Sequence, residues 1–228
     1  MKRICLLAML ALLPLAAQAE TLICPVGGER FVVEDLPECT PDSRMTMMFI
    51  PASTCYEEQM LAQCPQNFLP IYKGFTTEDL ALLEGFMNSE TYDSAVDQSP
   101  YYLAYIIEKY IGENGSRRAL ELLLDGLVRE PTRNFSDPVY LEDFLFEMQS
   151  VLRQSPDDVR PIMQALTSFV MLKAGQTEDA AALLEAASQH EIADLDNPVF
   201  LSYLAAIESC LLDHQSPYCD PRAVFPIN

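Results

Sequence analysis

The chain has 228 residues, half of them apolar, and carries 34 acidic residues against 14 basic ones, a net charge of −20. That length can hold one sizeable packed core and a small additional module, and the apolar fraction argues against wholesale disorder. So negative a surface repels nucleic-acid phosphates and anionic lipid headgroups and favours basic partners.

The first residues predict export. Lys2 and Arg3 precede an uncharged apolar run from Ile4 to Pro14, and Ala17-Gln18-Ala19 is the small-x-small pattern that a signal peptidase reads, so cleavage is expected after Ala19. The run is shorter than the roughly 20 residues a membrane-spanning helix needs. Cys5 stands at its start, whereas a lipoprotein signal requires the cysteine just after it. Residues 1–19 are thus expected to be a signal peptide and the mature protein to lie in the periplasm or outside the cell, without membrane insertion. Loss of Lys2 and Arg3 leaves 12 basic and 34 acidic residues, a charge of −22.

Six cysteines remain: Cys24, Cys39, Cys55, Cys64, Cys210 and Cys219. An even number in an oxidising compartment predicts disulfides. The expected pairing at the C-terminal end is Cys210 with Cys219, a loop whose closure contributes about 2–3 kcal/mol in the chain-entropy model. The first four cysteines allow three pairings.

Residues 20–75 read as a cysteine-bearing module. Pro25, Pro37, Pro41, Pro51, Pro65 and Pro70 punctuate it, and two strand candidates, Glu29–Leu36 and Met45–Ile50, flank a loop. An antiparallel hairpin between them is expected. Pairing the strands centre to centre would bring Cys24 near Cys55.

Residues 76–228 read as a helical repeat domain. Helix-start signals recur at Thr76, Ser99-Pro100, Ser116, Asp137-Pro138, Ser155-Pro156, Thr177 and Asn197-Pro198, with Gly112, Pro131 and Gly175 as stops. The starts lie about 20 residues apart, which predicts about seven helices in stacked antiparallel pairs with a pair period near 40. The openings Asp137-Pro-Val-Tyr-Leu and Asn197-Pro-Val-Phe-Leu are alike, and Ser99-Pro-Tyr-Tyr-Leu is a fainter copy. The expected fold is therefore mostly α: an α-solenoid behind a small disulfide-stapled β-hairpin module.

Three stretches carry resemblances. In Phe169–Ser188, Gly175 in a turn is followed by Ala180 and Ala187, and Gly112, Ala119, Gly126 and Pro131 form a second such set. Residues 99 to 213 thereby resemble the tetratricopeptide repeat, in which small residues let two helices cross closely; the resemblance implies a helical solenoid with a concave binding surface. Cys24-Pro-Val-Gly-Gly resembles the opening of a zinc knuckle, with Gly27 where the second cysteine would stand. The same opening, with Cys64-Pro and Ile71-Tyr-Lys73, is similar to a group of secreted bacterial proteins without an assigned activity.

Signs of catalysis are sparse. His190 and His214 are the two histidines; His190 reads as a helix C-terminal cap and His214 as a surface residue between Cys210 and Cys219. Gly-x-Ser-x-Gly, His-Glu-x-x-His and a phosphate-cradling glycine loop do not occur. The adjacent carboxylates Glu34-Asp35, Glu57-Glu58, Glu142-Asp143 and Asp157-Asp158 would point about 100° apart on a helix, so they do not face one another. An enzyme is not expected, and neither a cofactor nor a metal is assigned. Tyr101, Tyr102, Tyr105 and Tyr110 crowd one helix; most of them are expected in core or inter-helix packing, and a tyrosine-lined groove is the alternative, with Tyr101 and Tyr105 on one face as candidate partner-binding residues. The expectation is an exported interaction module for a protein or peptide partner, with basic partners among the candidates. The alternatives are a carboxylate-dependent envelope hydrolase of glycan or peptide, or a cysteine-based zinc-binding protein.

Overall fold

The computed structural model describes residues 19–34, 40–53, 61–112, 117–189 and 198–225. The expected signal peptide lies outside these residues except for Ala19, as do Cys39, Cys55, Ser116 and His190.

The N-terminal region folds as three tight reversals. Strands β1 (Ala19–Ile23) and β2 (Arg30–Glu34) pair antiparallel, from Ala19 opposite Glu34 to Ile23 opposite Arg30. Their turn opens at Cys24, whose N–H donates to Glu29 O at 2.9 Å, while Gly28 N–H donates to Cys24 O at 3.2 Å. Gly27 (φ 101°) and Gly28 (φ 73°) occupy the left-handed region, which their missing side chains allow. Strands β3 (Pro41–Met45) and β4 (Pro51–Ser53) form a second antiparallel pair around the tip Thr46–Ile50. A third reversal brings Gln63 opposite Pro70. It repeats the first turn bond for bond: Cys64 N–H donates to Leu69 O at 3.0 Å and Phe68 N–H to Cys64 O at 2.9 Å. Phe68, at φ 60°, matches Gly28. A Cys24–Cys64 disulfide, with Cα atoms 5.6 Å apart, joins the first and third reversals.

This differs from the expected hairpin. Arg30–Glu34 pairs with the preceding Ala19–Ile23, because Gly27-Gly28 reverses the chain within six residues and so closes the shorter loop. Met45–Ile50 is largely a turn: Phe49 has φ 55°, and Met47 and Met48 are fully buried. Cys24 is bonded to Cys64; Cys55, which the centre-to-centre pairing would bring near it, lies outside the described residues.

Nine helices follow among the described residues: α1 (Thr77–Phe86), α2 (Glu90–Val96), α3 (Pro100–Ile111), α4 (Arg117–Arg129), α5 (Pro131–Asn134), α6 (Pro138–Gln154), α7 (Arg160–Lys173), α8 (Thr177–Ser188) and α9 (Pro198–Leu212). Each expected start lies at or a few residues before the beginning of one of them, Thr177 being the first residue of α8, and the two short helices α2 and α5 are additional. The grammar of the starts is chemical. Thr76 Oγ1 accepts from Asp79 N–H at 3.1 Å while Thr76 N–H donates to Asp79 Oδ2 at 2.9 Å, a reciprocal capping box. Ser99 and Asp137 cap helices whose first residue is proline. Helix α7 starts later than Ser155-Pro156 suggests, after a turn through residues 157–159.

Helix α7 ends where Gly175 N–H donates to Leu172 O at 3.0 Å and Gln176 N–H to Met171 O at 2.9 Å, with Gly175 at φ 80°. This glycine-terminated double bond folds α8 back onto α7. Ala180 and Ala187 are buried there, and Ser168 Oγ donates to Ala180 O at 2.7 Å. Helices α3 and α4 also pack together, and α4, α6 and α7 pack in succession. Gly126 lies in a tight crossing: a Cβ on it would collide with the Tyr140 hydroxyl and lie 2.8 Å from Tyr101 Cβ.

One continuous core links the β-rich and helical regions. Met47 N–H donates to Ala223 O at 2.9 Å, and the Tyr203 hydroxyl donates to Met47 O at 2.8 Å. Phe49 packs on Tyr203 and Phe225, with ring centroids 5.0 and 6.2 Å away. Cys210 and Cys219 form a second disulfide that holds the chain just after α9. No helix among the described residues is long and apolar enough to cross a membrane.

Candidate functional site

The polar face of α3 builds the main candidate site. Tyr102, Tyr105 and Lys109 recur at helical spacing and so share a face, and Asp143 and Glu147 do the same on α6. The two sets meet. The Tyr102 hydroxyl donates to Asp143 Oδ2 at 2.6 Å, the Tyr105 hydroxyl to Glu147 Oε1 at 3.3 Å, and Lys109 Nζ to the same Glu147 oxygen at 2.5 Å. Glu147 is buried, at 3% exposure, so the phenol and the ammonium supply the polar contacts it lost from water.

Above this network opens a groove of about 430 Å³. Phe86 from the end of α1 stacks on Tyr110 of α3, with centroids 4.1 Å apart and planes 14° from parallel. Ser89 and Thr91 at the start of α2 form one rim, and Tyr105, Lys109 and Asp143 form the floor. Tyr110 is half exposed, and the neighbouring Phe146 more than half. Lys109 Nζ lies 5.5 Å from the Phe146 ring centre.

Burial raises the carboxyl pKa of Asp143 above the ordinary aspartate range, while the Tyr102 hydrogen bond and Lys109 pull it partly back. Burial pushes the Tyr102 and Tyr105 phenols up as well, reinforced by Asp143 and, at Tyr105, by Glu147. Both phenols therefore remain protonated donors at neutral pH. The arrangement offers an aromatic wall and a carboxylate in a reduced dielectric, which suit a positive group beside apolar surface, while Lys109, the cation of the lining, is paired with Glu147.

The expected binding pair is split. Tyr105 lines the groove, but Tyr101 is 2% exposed and packs beside Gly126 of α4. Its ring lies inside the body and presents no surface to a partner. Asp143 stands in the sequence as half of the adjacent pair Glu142-Asp143, but its partner on the helix face is Glu147, four residues on, and that spacing carries no signal until α6 is set against α3.

The remaining candidates are dispersed. His214 is exposed beside the Cys210–Cys219 bridge. Asp157 is exposed and pairs with Arg160 at 2.7 Å. The side chain of Glu34 is not described, and Asp35, Glu57 and Glu58 lie outside the described residues. A second cleft of about 730 Å³ separates the Met48–Ile50 tip from α4, α6 and α7; Leu120, Leu124, Ile162 and Met163 line it, with Arg117 and Glu121 at the edge. Its walls are mainly apolar, so it offers fewer polar groups to fix a ligand's orientation.

The N-terminal disulfide has a charged neighbour. The Cys24 and Cys64 sulfurs and a Glu29 carboxylate oxygen lie within 4.8 Å of one another. Both Glu29 oxygens are buried, and among the described residues no donor reaches them.

No protein-family model, curated protein or solved structure matches this chain.

Proposed function

We propose that this chain is an exported interaction module. Its helices, stacked as tetratricopeptide-like pairs in a solenoid, present a binding groove for an extended, basic peptide segment of a protein partner in the cell envelope. The observation that carries this reading is the groove over α3, where the half-exposed Tyr110 ring and the Asp143 carboxylate stand on one accessible surface. An aromatic ring beside a carboxylate of reduced solvation favours a lysine or arginine side chain, whose apolar stem lies on the ring while its head meets the charge. The net charge of −22 that remains after loss of Lys2 and Arg3 (12 basic against 34 acidic residues) draws such a segment in from a distance. The two disulfides among the described residues support residence in an oxidising compartment.

The test is selection from a random peptide library displayed on phage, against the wild-type chain and against a Tyr110→Ala/Asp143→Asn variant. The expected result is enrichment of sequences with a basic residue flanked by apolar ones, binding the variant at least tenfold more weakly. Enriched peptides that bind both proteins equally, or no enrichment at all, overturn the proposal.

A further inference from the structure

The geometry points to a metal site at the Cys24–Cys64 bridge: once the disulfide is reduced, the two thiolates and the Glu29 carboxylate hold one thiophilic divalent cation of the zinc class.

The case starts from the two matched turns. Each opens with Cys-Pro, and in each the cysteine N–H donates five residues ahead while its carbonyl accepts from the residue four ahead. Both have a left-handed residue at that fourth place, Gly28 and Phe68. The turns are locked to each other. Asn67 Nδ2 donates to Val26 O at 2.9 Å, and Asn67 Oδ1 accepts from Leu69 N–H at 3.1 Å. Two sulfurs are therefore presented to one point by preorganised backbone.

The third donor comes from an absence of side chain. A Cβ on Gly27 would lie 2.5 Å from Glu29 Oε2. The bare glycine leaves the space into which the carboxylate folds back, toward the sulfurs. Burying both oxygens of a carboxylate without a donor is costly, and the disulfide, which carries no charge, gives nothing in return. A cation bound by two thiolates would offset that cost. The donor set S, S, O is one that zinc accepts, with Zn–S near 2.3 Å and Zn–O near 2.0–2.2 Å, leaving a fourth position for water. Two sulfurs on one tetrahedral ion stand about 3.8 Å apart, so they must separate from bonding distance, a movement of side-chain rotation at cysteines whose Cα atoms are already 5.6 Å apart.

The chemistry balances with a phosphine as reductant. The phosphine gives two electrons to the disulfide and leaves as its oxide, taking oxygen from water, and two thiols form. Each thiol then releases a proton to solvent as the cation enters. Because the same two sulfurs serve both states, disulfide and metal exclude one another, and oxidation expels the ion.

The experiment uses the mature chain, without residues 1–19 and so without Cys5, with Cys39, Cys55, Cys210 and Cys219 replaced by serine, reduced by phosphine and titrated with cobalt(II) and then zinc. One cobalt per chain is expected, with the thiolate-to-cobalt charge-transfer band of two sulfurs and loss of that band when zinc displaces it. Glu29→Gln should weaken binding at least tenfold, and Cys24→Ser should abolish it. If the four-serine chain does not fold, the reduced wild-type chain is alkylated with and without zinc and mapped by mass. Slower alkylation of Cys24 and Cys64 that is lost in Glu29→Gln supports the site. Absence of stoichiometric binding, affinity indifferent to Glu29→Gln, or zinc protection confined to other cysteines overturns it.

Discussion

The β-rich N-terminal region and the helical body solve the same problem by opposite means. In the N-terminal region short strands expose much of their surface; Ile23 and Val32 are both more than half exposed. Order there comes from left-handed turn residues, the Asn67 clasp and a covalent bond. In the body, order comes from buried side chains such as Leu103, Phe144 and Phe169, laid along capped helices. The lesson is that a region with little core depends on a few groups, whereas a well-packed one spreads its dependence.

That contrast can be broken most sharply at the bridge. Cys24→Ser/Cys64→Ser opens a loop spanning 40 residues of sequence separation, and the chain-entropy model assigns its closure about 4 kcal/mol. Chemical denaturation should show this loss, and hydrogen exchange should place the first opening in residues 21–33 and 62–71 while α3 to α8 keep their protection. Equal loss of protection in both regions would dissolve the distinction.

Within the body, Lys109→Ala strands the Glu147 carboxylate in the interior with the Tyr105 phenol as its remaining donor from α3. The expected cost is about 2–3 kcal/mol, at the low side of buried-pair values because Lys109 is itself partly solvated. Lys109→Gln, which still donates a hydrogen bond, should recover part of it in the same denaturation assay. Gly126→Ala forces Tyr140 and Tyr101 apart and should cost about 2 kcal/mol as overpacking; an unchanged midpoint would show that α4 has room to move.

The smallest effect is a pH dependence. The folded-state pKa of Asp143 is raised, so the cost of its charge is absent below the ordinary aspartate pKa of about 4 and appears as pH rises through the folded value. Asp143→Asn does not titrate. The Tm difference of the variant over the wild type should be most positive at pH 7 and decline toward pH 4, whatever its offset. A difference that grows on acidification would contradict the raised pKa.

The helix starts were legible because capping is local: Thr76, Ser99-Pro100 and Asp137-Pro138 contain their own reason for starting a helix. Helix α5 hid behind Pro131, which ends one helical segment and also opens the next. The hairpin partner was harder, because strand propensity in Phe31-Val-Val33 does not say which side it pairs with. The glycines at 27 and 28 did carry that information. The acidic half of the groove could not be read without knowing that α3 meets α6, since Tyr102 and Asp143 lie 41 residues apart. The split between Tyr101 and Tyr105 has the same origin: one face of α3 is core and the next is groove, a choice made by the neighbouring helices.

The seat of the Thr46–Ile50 tip bears on the order of assembly. Its carbonyl at Met47 is held by Tyr203, 156 residues later, and its backbone pairs with Ala223 and Val224. During synthesis this tip emerges early and has no seat until the last helix has been made. Contacts of such separation are slow to form because a long loop must close first. The α7–α8 hairpin can form from local contacts as soon as it is complete, while the tip waits for its final partner, leaving the N-terminal thiols an interval in which to meet one another before the molecule closes over them.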